Sequence, residues 1–195
     1  MQNTHLMPIL TLTHSLFLQS NDYDNFLNTN APASFEYYAK YVNQPHIRAA
    51  LHVGNTPYGT NASKCEMALV PDFMVSYKPE LEVMLQSTSP SYKVLIFSGQ
   101  LDVIIGAALT ERFLPTVNWP GADAFKTVEK AVWRMNPTDV EVAGYARTVG
   151  NFSHVIVRGA GHIVPGDQPD RAYNMIWDHF VKGQEYENLP NPTAN

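Results

Sequence analysis

Apolar runs that end at glycine and a polar residue are the clearest pattern in the second half of the chain. Residues 92–98 are β-rich and almost wholly apolar, as expected of a parallel strand that is covered on both faces. Residues 141–149 and 152–158 form two more strand-like runs, and Gly150-Asn151 between them is a hairpin signal. The pattern therefore predicts one core strand followed by a hairpin.

Helical spacing accounts for much of the remaining chain. The apolar side chains of residues 169–181 share one face, which predicts an amphipathic helix that starts after Gln168 and stops at Gly183. Residues 54–64 are rich in Gly, Asn, Thr and Pro, a composition typical of a surface loop. Further helices are predicted over 46–53, 72–86, 106–114 and 124–135. Strand, helix, hairpin and helix in this order indicate an α/β layered fold.

The two ends of the chain are expected to lie outside this layered core. Residues 1–21 are an N-terminal extension to which no structure is assigned. Within it, residues 6–18 are mildly apolar, but they lack the basic flank and the small-residue cleavage site of a convincing signal peptide. The stretch is also too short to span a bilayer. Residues 184–195 contain two prolines and few apolar side chains, which predicts a disordered tail.

Composition and charge exclude several classes of function. With 45% hydrophobic and 16% charged residues among 195, the chain has the composition of a globular protein. Its net charge of −5 leaves no basic footprint for nucleic acid, and no run of like charges predicts a polyanionic partner. Neither a nucleic acid nor a membrane is therefore an expected partner.

Cofactor and modification signals are few. Cys65 is the only cysteine, and the histidines show no metal-ligand spacing, so no metal site is expected. No G-x-G-x-x-G or phosphate-loop pattern is present, and we expect no cofactor. Asn61 and Asn151 begin the sequons Asn61-Ala62-Ser63 and Asn151-Phe152-Ser153, and they are candidate glycosylation sites if the chain enters the secretory pathway.

Two polar residues follow the predicted core strands and are the candidate catalytic residues. Asp102 comes just after the first strand, and His162 stands in a glycine-rich turn just after the last one. Ligand chemistry in α/β sheets collects beyond the carboxyl ends of strands, and acid before histidine is the chain order of the α/β-hydrolase triad. Taken alone, Asp102 is better explained as a cap of the following helix, and His162 could be a structural residue of its glycine-rich turn.

The roles of this pair follow from acid–base chemistry. His162 would take the proton from a serine hydroxyl and return it to the leaving amine, since a histidine side chain titrates near neutrality. Asp102 would fix the imidazole tautomer and stabilise the imidazolium. The serine of such a triad should precede both residues on a G-x-S-x-G elbow, and no such pentapeptide occurs in the chain.

Three motifs resemble the C-terminal part of the serine carboxypeptidases, most closely the vitellogenic-like branch. They are Val94-Leu95-Ile96-Phe97-Ser98-Gly99-Gln100-Leu101-Asp102, Glu141-Val142-Ala143-Gly144-Tyr145, and Gly159-Ala160-Gly161-His162-Ile163-Val164-Pro165, which continues into Gly166-Asp167-Gln168-Pro169. Weaker similarity extends the resemblance to residues 22–183, which we treat as one serine carboxypeptidase region.

The resemblance implies a fold, a reaction and a setting. The fold is the C-terminal portion of an α/β-hydrolase, a mostly parallel sheet flanked by helices, and it is expected to be incomplete. The family removes single residues from peptide C-termini in lysosomal, vacuolar or secreted settings. Asp102 and His162 take the places of the family's triad aspartate and histidine, and Ile163 the place of a residue beside the substrate's leaving residue.

The departures from the family are equally specific. The nucleophile elbow, the oxyanion-hole segment and the groups that bind the terminal carboxylate are absent from this chain, so we expect it to be inactive alone. It would be a partial serine carboxypeptidase, whose partners are a peptide substrate and the missing N-terminal half. The alternatives are one chain of a processed two-chain enzyme, a non-catalytic binding or regulatory protein, and an acyltransferase or esterase of the same fold.

Overall fold

The chain divides into two compact units. One comprises residues 1–23 and 29–76, and the other comprises 24–28 and 77–195. A computed structural model describes residues 25–28, 30, 35–59, 62–87 and 92–186. The predicted extension at 1–21 therefore lies outside the described residues, as does Asn61.

The first unit consists of three short helices. They are α1 (Phe35–Val42), α2 (Pro45–Ala50) and α3 (Ala62–Leu69). The bounds of helix α2 agree approximately with the helix predicted over 46–53. Helix α3 begins inside the segment 54–64, which was predicted to be a loop. Arg48 donates hydrogen bonds to the main-chain carbonyls of Gly54 and Thr56, which folds that loop back onto α2. None of the side chains at 36–59 and 63–76 is buried, so this unit has no core of its own among them.

The second unit is built on a four-stranded sheet in the order β1-β4-β3-β2. Its strands are β1 (Val94–Gly99), β2 (Ala131–Trp133), β3 (Gly144–Val149) and β4 (Phe152–Val157). Strand β1 pairs with β4 in parallel, and the pairs β3–β4 and β2–β3 are antiparallel. The described sheet is therefore mixed rather than mostly parallel, because Gly150 at φ +56° closes β3 and β4 into the predicted hairpin.

Helices cover both faces of this sheet. They are α4 (Lys78–Leu85), α5 (Ala107–Phe113), α6 (Ala122–Thr127), α7 (Val164–Asp167) and α8 (Pro169–Tyr173), with a 3₁₀ turn at Leu114–Thr116 and a π-helical segment at Asn174–Val181. None of the helices in the described part of the chain is long and apolar enough to cross a membrane.

Strand β4 carries the two halves of the core on its alternating side chains. Phe152 packs on one face against Phe125 and Trp119, with ring centroids 5.0 and 5.7 Å away. Val155 and its neighbours face the other side, in a cluster that includes Trp133 and Met175. Burial on both faces of β4 accounts for its apolar residues Phe152, Val155 and Val157.

Two predicted helices differ from the structure. The helix expected over 124–135 ends at Thr127, and β2 pairs with β3 instead, because the fully buried Trp133 packs in the core and donates from Nε1 to Asn174 Oδ1 at 2.9 Å. The helix expected over 72–86 begins only at Lys78, with a proline in its first turn. The amphipathic helix at 169–181 is helical throughout its length, as α8 and the π-helical segment.

The tail predicted to be disordered from Gln184 begins with residues that pack on the core. Tyr186 stacks on His179 with ring centroids 4.0 Å apart and meets the edge of Trp133 at 6.1 Å. The aromatic surface offered by Trp133 and His179 explains this packing, which was not visible in the local composition. Residues 187–195 lie outside the described residues.

Truncating Phe152 should be much more destabilising than truncating a phenylalanine on the sheet edge. Phe152→Ala leaves a cavity among buried aromatic rings, and we expect a loss of about 3–5 kcal/mol in the free energy of unfolding. Phe97→Ala is the matched control, because Phe97 on β1 is 40% exposed, and it should cost about 1 kcal/mol or less. Urea titrations measure both, and equal losses would contradict this description of the core.

Candidate active site

The loops that follow β1 and β4 meet at one edge of the sheet. Because β1 and β4 are parallel neighbours, both strands end at the same edge of the sheet, and the loops that follow them begin there. Main-chain hydrogen bonds continue past the strands: Gln100 N donates to Val157 O at 2.9 Å, and Leu101 N donates to Ala160 O at 2.8 Å. The two loops are thus joined by backbone bonds before either candidate side chain is reached.

Glycine at position 99 allows the two loops to approach so closely. A Cβ atom on Gly99 would lie 2.1 Å from Gly161 O and 2.5 Å from Ala160 O, distances that no real side chain tolerates. On the other loop, Gly159 has φ +72°, a conformation that residues with a side chain rarely adopt. The glycines noted in the sequence therefore serve the contact between the loops and the turn before His162.

The structure brings the two candidate catalytic side chains together. Asp102 Oδ2 lies 3.1 Å from His162 Nδ1, a hydrogen-bonding distance. The Asp102 side chain is 7% exposed, whereas that of His162 is 32% exposed. The carboxylate is therefore shielded from water, while the imidazole is open to a reacting group.

The second oxygen of Asp102 is also engaged. Asp102 Oδ1 accepts hydrogen bonds from the main-chain nitrogens of Ile104 at 2.8 Å and Ile105 at 2.9 Å. The capping role considered from the sequence is thus present in part, but it closes the turn before α5, which begins later at Ala107. One carboxylate group holds its own loop with one oxygen and His162 with the other.

This arrangement leaves His162 able to act as a base. A neutral imidazole that donates from Nδ1 to a carboxylate carries its lone pair on Nε2, the nitrogen that accepts a proton in acyl-transfer sites. A fixed carboxylate also stabilises the imidazolium that forms when that proton arrives. The pair therefore has the geometry of a proton acceptor with its orienting acid.

A second histidine–carboxylate pair lies inside the protein. His154 Nδ1 is 2.9 Å from Glu111 Oε1, and Glu111 Oε2 is 2.7 Å from Lys130 Nζ. His154 is 1% exposed, and its burial, aided by the nearby Lys130 charge, lowers its pKa to about 4. This contact is not visible in the sequence, because Glu111 lies on α5, far from His154 in the chain. The imidazole of His154 is buried whereas that of His162 is 32% exposed, so exposure of the histidine distinguishes the two pairs.

Burial and Lys130 oppose each other at Glu111. Burial raises the pKa of the carboxyl group, while the hydrogen bond and charge of Lys130 lower it, and the net direction is downward. Glu111 thus stays ionised next to a histidine that stays neutral, as expected of a structural ion pair between Glu111 and Lys130.

The other predicted site residues have different surroundings. Ile163 follows His162 directly and has an exposed side chain, and its contact with a substrate stays a prediction. Asn151 Nδ2 donates to the main-chain oxygens of Tyr92 at 3.1 Å and Ser87 at 3.4 Å. Asn151 thus has a structural role in the hairpin turn, and its glycosylation also stays a prediction.

Two polar residues near His162 were given no role from the sequence. Asp167 was noted only as part of a motif, and its Oδ2 accepts from Gly161 N at 2.6 Å. Asn25 belongs to a distant stretch, and its side chain reaches the same oxygen at 2.8 Å. The signal for Asp167 was its place in the motif that continues from His162, and the signal for Asn25 was only the weaker similarity that begins at residue 22.

Metal ligands are not clustered in the part of the chain that is described. No three His, Cys, Asp or Glu side chains among those residues could hold a metal ion together. Cys65 is an exposed free thiol on α3.

Comparisons with known proteins identify the family of this arrangement. The serine carboxypeptidase family, Peptidase S10, matches residues 3–183. The probable serine carboxypeptidase CPVL of Homo sapiens is 43% identical over 167 residues, which are 86% of this chain and 34% of that protein. The venom serine carboxypeptidase of Apis mellifera is 37% identical over 155 residues, which are 79% and 32% of the two chains. This chain thus spans about a third of the length of these relatives.

A solved structure shows the fold to which the described sheet belongs. The prohormone-processing carboxypeptidase Kex1(Δ)p of Saccharomyces cerevisiae superposes with a TM-score of 0.66 at 18% identity, and the match covers 98% of this chain and 43% of that one. The chain therefore has part of an α/β-hydrolase fold, which confirms the predicted fold class.

Gly99→Ala should separate the two loops. The new methyl group would have to displace the main chain at Gly161, and we expect a cost of about 1–3 kcal/mol in stability together with a longer Asp102–His162 distance. Gly106→Ala is the control, since its Cβ would meet only Asp102 O at an ordinary 3.5 Å. Urea unfolding and a crystal structure of each variant provide the measurements. A Gly99→Ala protein with native stability and an unchanged distance would contradict the analysis.

The buried His154 should make stability depend on pH. Its folded-state pKa of about 4 lies below the ordinary value of 6.5, so the unfolded chain binds more protons between these values and stability falls as pH decreases through this window. The loss from this group is on the order of 3 kcal/mol at most. His154→Gln should flatten the curve of unfolding free energy between about pH 6.5 and pH 4, as measured by urea titration. Parallel curves for the two proteins would refute this role.

Proposed function

The chain belongs to the serine carboxypeptidase family, and we propose that its Asp102 and His162 supply the acid–base part of a site that removes C-terminal residues from peptides. The single observation that carries this proposal is the 3.1 Å contact between Asp102 Oδ2 and His162 Nδ1 at the carboxyl edge of two parallel strands. The names of the human, honeybee and yeast proteins, all carboxypeptidases, support the reaction class.

Hydrolysis by this pair proceeds in two acyl-transfer steps. His162 takes the proton of a serine hydroxyl through Nε2 as the serine oxygen attacks the last peptide carbonyl of the substrate. The imidazolium, stabilised by Asp102, then gives this proton to the leaving amino group, and the C-terminal residue departs. Water repeats the sequence on the acyl-enzyme, with His162 first as base and then as acid.

In our proposal, this chain does not supply the nucleophilic serine. The chain contains no G-x-S-x-G pentapeptide, and it spans about a third of the length of its relatives. Without a nucleophile and an oxyanion hole, the Asp102–His162 pair has no acyl group to transfer. The polypeptide of 195 residues is therefore expected to be inactive by itself.

The setting that we propose is a lysosomal, vacuolar or secreted one. The honeybee relative is named as a venom protein, which supports a route through the secretory pathway.

A chimeric enzyme gives a direct test of the catalytic pair. In it, residues 22–183 of this chain replace the matching segment of the honeybee venom carboxypeptidase, which retains its own serine. We expect the chimera to release the last residue of an N-blocked dipeptide at acidic pH. Asp102→Asn should lower kcat by about 10⁴-fold, because the imidazole loses its orienting carboxylate. His162→Ala should lower kcat at least as far.

The control is an aspartate with the same chemistry away from the pair. Asp139 accepts hydrogen bonds from Asn136 in an exposed turn, and Asp139→Asn should leave kcat within about twofold. A folded chimera that is inactive, or an Asp102→Asn chimera with full activity, would defeat the proposal. Transfer of the acyl group to an alcohol in place of hydrolysis would favour an acyltransferase. Labelling of the isolated chain by a fluorophosphonate would show that it holds its own nucleophile.

A further inference from the structure

A buried amide–carboxylate pair lies next to the turn that carries His162. Asn25 is 4% exposed, and its Nδ2 donates to Asp167 Oδ2 at 2.8 Å. The same oxygen accepts the main-chain N–H of Gly161 at 2.6 Å. Asp167 therefore holds the residue immediately before His162, through a hydrogen bond that is strengthened by the carboxylate charge.

The same asparagine is connected to the loop of Asp102. The main-chain nitrogen of Phe26 donates to Leu101 O at 2.9 Å, in a short antiparallel bridge between Asn25 and Asp102. Leu27 N donates to Asn25 Oδ1 at 3.1 Å. With its oxygen accepting from Leu27, the amide presents its nitrogen to Asp167, so the network itself fixes the orientation of the group.

We propose that Asn25 and Asp167 are positioning residues for the Asp102–His162 pair. Asp167 fixes the turn of His162 through Gly161, and Asn25 links that turn to the strand end that carries Asp102. The bond between Asp102 Oδ2 and His162 Nδ1 is then maintained from both sides. The catalytic meaning of this assignment rests on the proposed function, whereas the effect on the hydrogen bond is a property of this chain.

The points of attachment distinguish positioning from general support of the fold. Gly161 and Leu101 are each one residue from a member of the pair, so a shift at either bond moves a side chain of the pair directly. A displacement of about 1 Å in a catalytic group can lower a rate by roughly 10²-fold.

The first experiment measures the hydrogen bond in the chain itself. The Nδ1–H proton of His162 gives a downfield, slowly exchanging NMR signal while it is bonded to Asp102, and Asp102→Asn identifies that signal. Asn25→Asp places a second carboxylate against Asp167 and removes the donor, and Asn25→Ala removes the donor without adding charge. Both should weaken or abolish the His162 signal.

An exchange of the two groups tests the geometry. Asp167 Oδ2 accepts from both Asn25 Nδ2 and Gly161 N. In the double variant Asn25→Asp/Asp167→Asn, the amide atom in this place can donate to the new carboxylate or accept from Gly161, but it cannot do both. The His162 signal should therefore stay weakened in this variant. Asn25→Ala serves if Asn25→Asp fails to fold in circular dichroism.

A second Asn–Asp pair in the same unit is the matched control. Asn174 Nδ2 donates to Asp178 Oδ2, also at 2.8 Å, within the C-terminal helical segment. Asn174→Asp should lower the melting temperature by an amount similar to that for Asn25→Asp. It should leave the His162 signal in place, because Asn174 bonds to Trp133 and Asp178, which lie outside the two loops.

The chimeric enzyme gives the catalytic readout. Asn25→Asp should lower kcat by roughly 10- to 100-fold with little change in KM, since the chemistry rather than peptide binding is affected. The double variant should not restore kcat, because it cannot make both hydrogen bonds to position 167. The proposal is overturned if Asn25→Asp and Asn25→Ala keep the His162 signal and kcat while stability falls as in Asn174→Asp, or if the double variant regains both the signal and kcat. An inactive chimera with native residues would count against the proposed function alone, because the NMR signal still decides the positioning role.

Discussion

The close approach of two main-chain loops beyond β1 and β4 is the constraint on which the rest of this structure depends. Parallel pairing sends both strands to the same edge of the sheet, and the carbonyl of Gly161 occupies the space that a side chain at Gly99 would need. Only with this contact can a carboxylate three residues beyond Gly99 reach an imidazole on the neighbouring loop. The site is thus a consequence of backbone packing before it is one of side-chain chemistry.

Surroundings, and not the identity of the residues, separate the two histidine–carboxylate pairs of this protein. His154 and Glu111 are as close as His162 and Asp102, but His154 lies inside the core, where burial disfavours its charged form. His162 is partly exposed to solvent, so its imidazole can be reached from outside the protein. A histidine and a carboxylate are therefore enclosed in the core in one place and open to solvent in the other, and our proposal assigns proton transfer to the open pair.

The parts of the site that the sequence predicted are those whose signals are local. Asp102 and His162 each follow an apolar strand and a glycine, so strand, turn and side chain are visible within a few residues. The local pattern predicts a helix where β2 forms. The strand is favoured by its pairing with β3 and by the burial of Trp133, and both depend on residues that are distant in the chain. Asn25 could not be found in the same way, since its partner Asp167 is 142 positions away.

Within the described part of the chain, the bonds that orient the Asp102–His162 pair come from the second unit. Asp102 is held by its own loop, and the turn of His162 is held by Leu101 and Asp167. The pair is therefore preorganised without any contribution from a nucleophile. A serine that joins this site need only bring its hydroxyl to Nε2 of an imidazole that is already oriented, so little further ordering of the base is required. This preorganisation fits our proposal that Asp102 and His162 are supplied by one stretch of chain and the attacking serine by another.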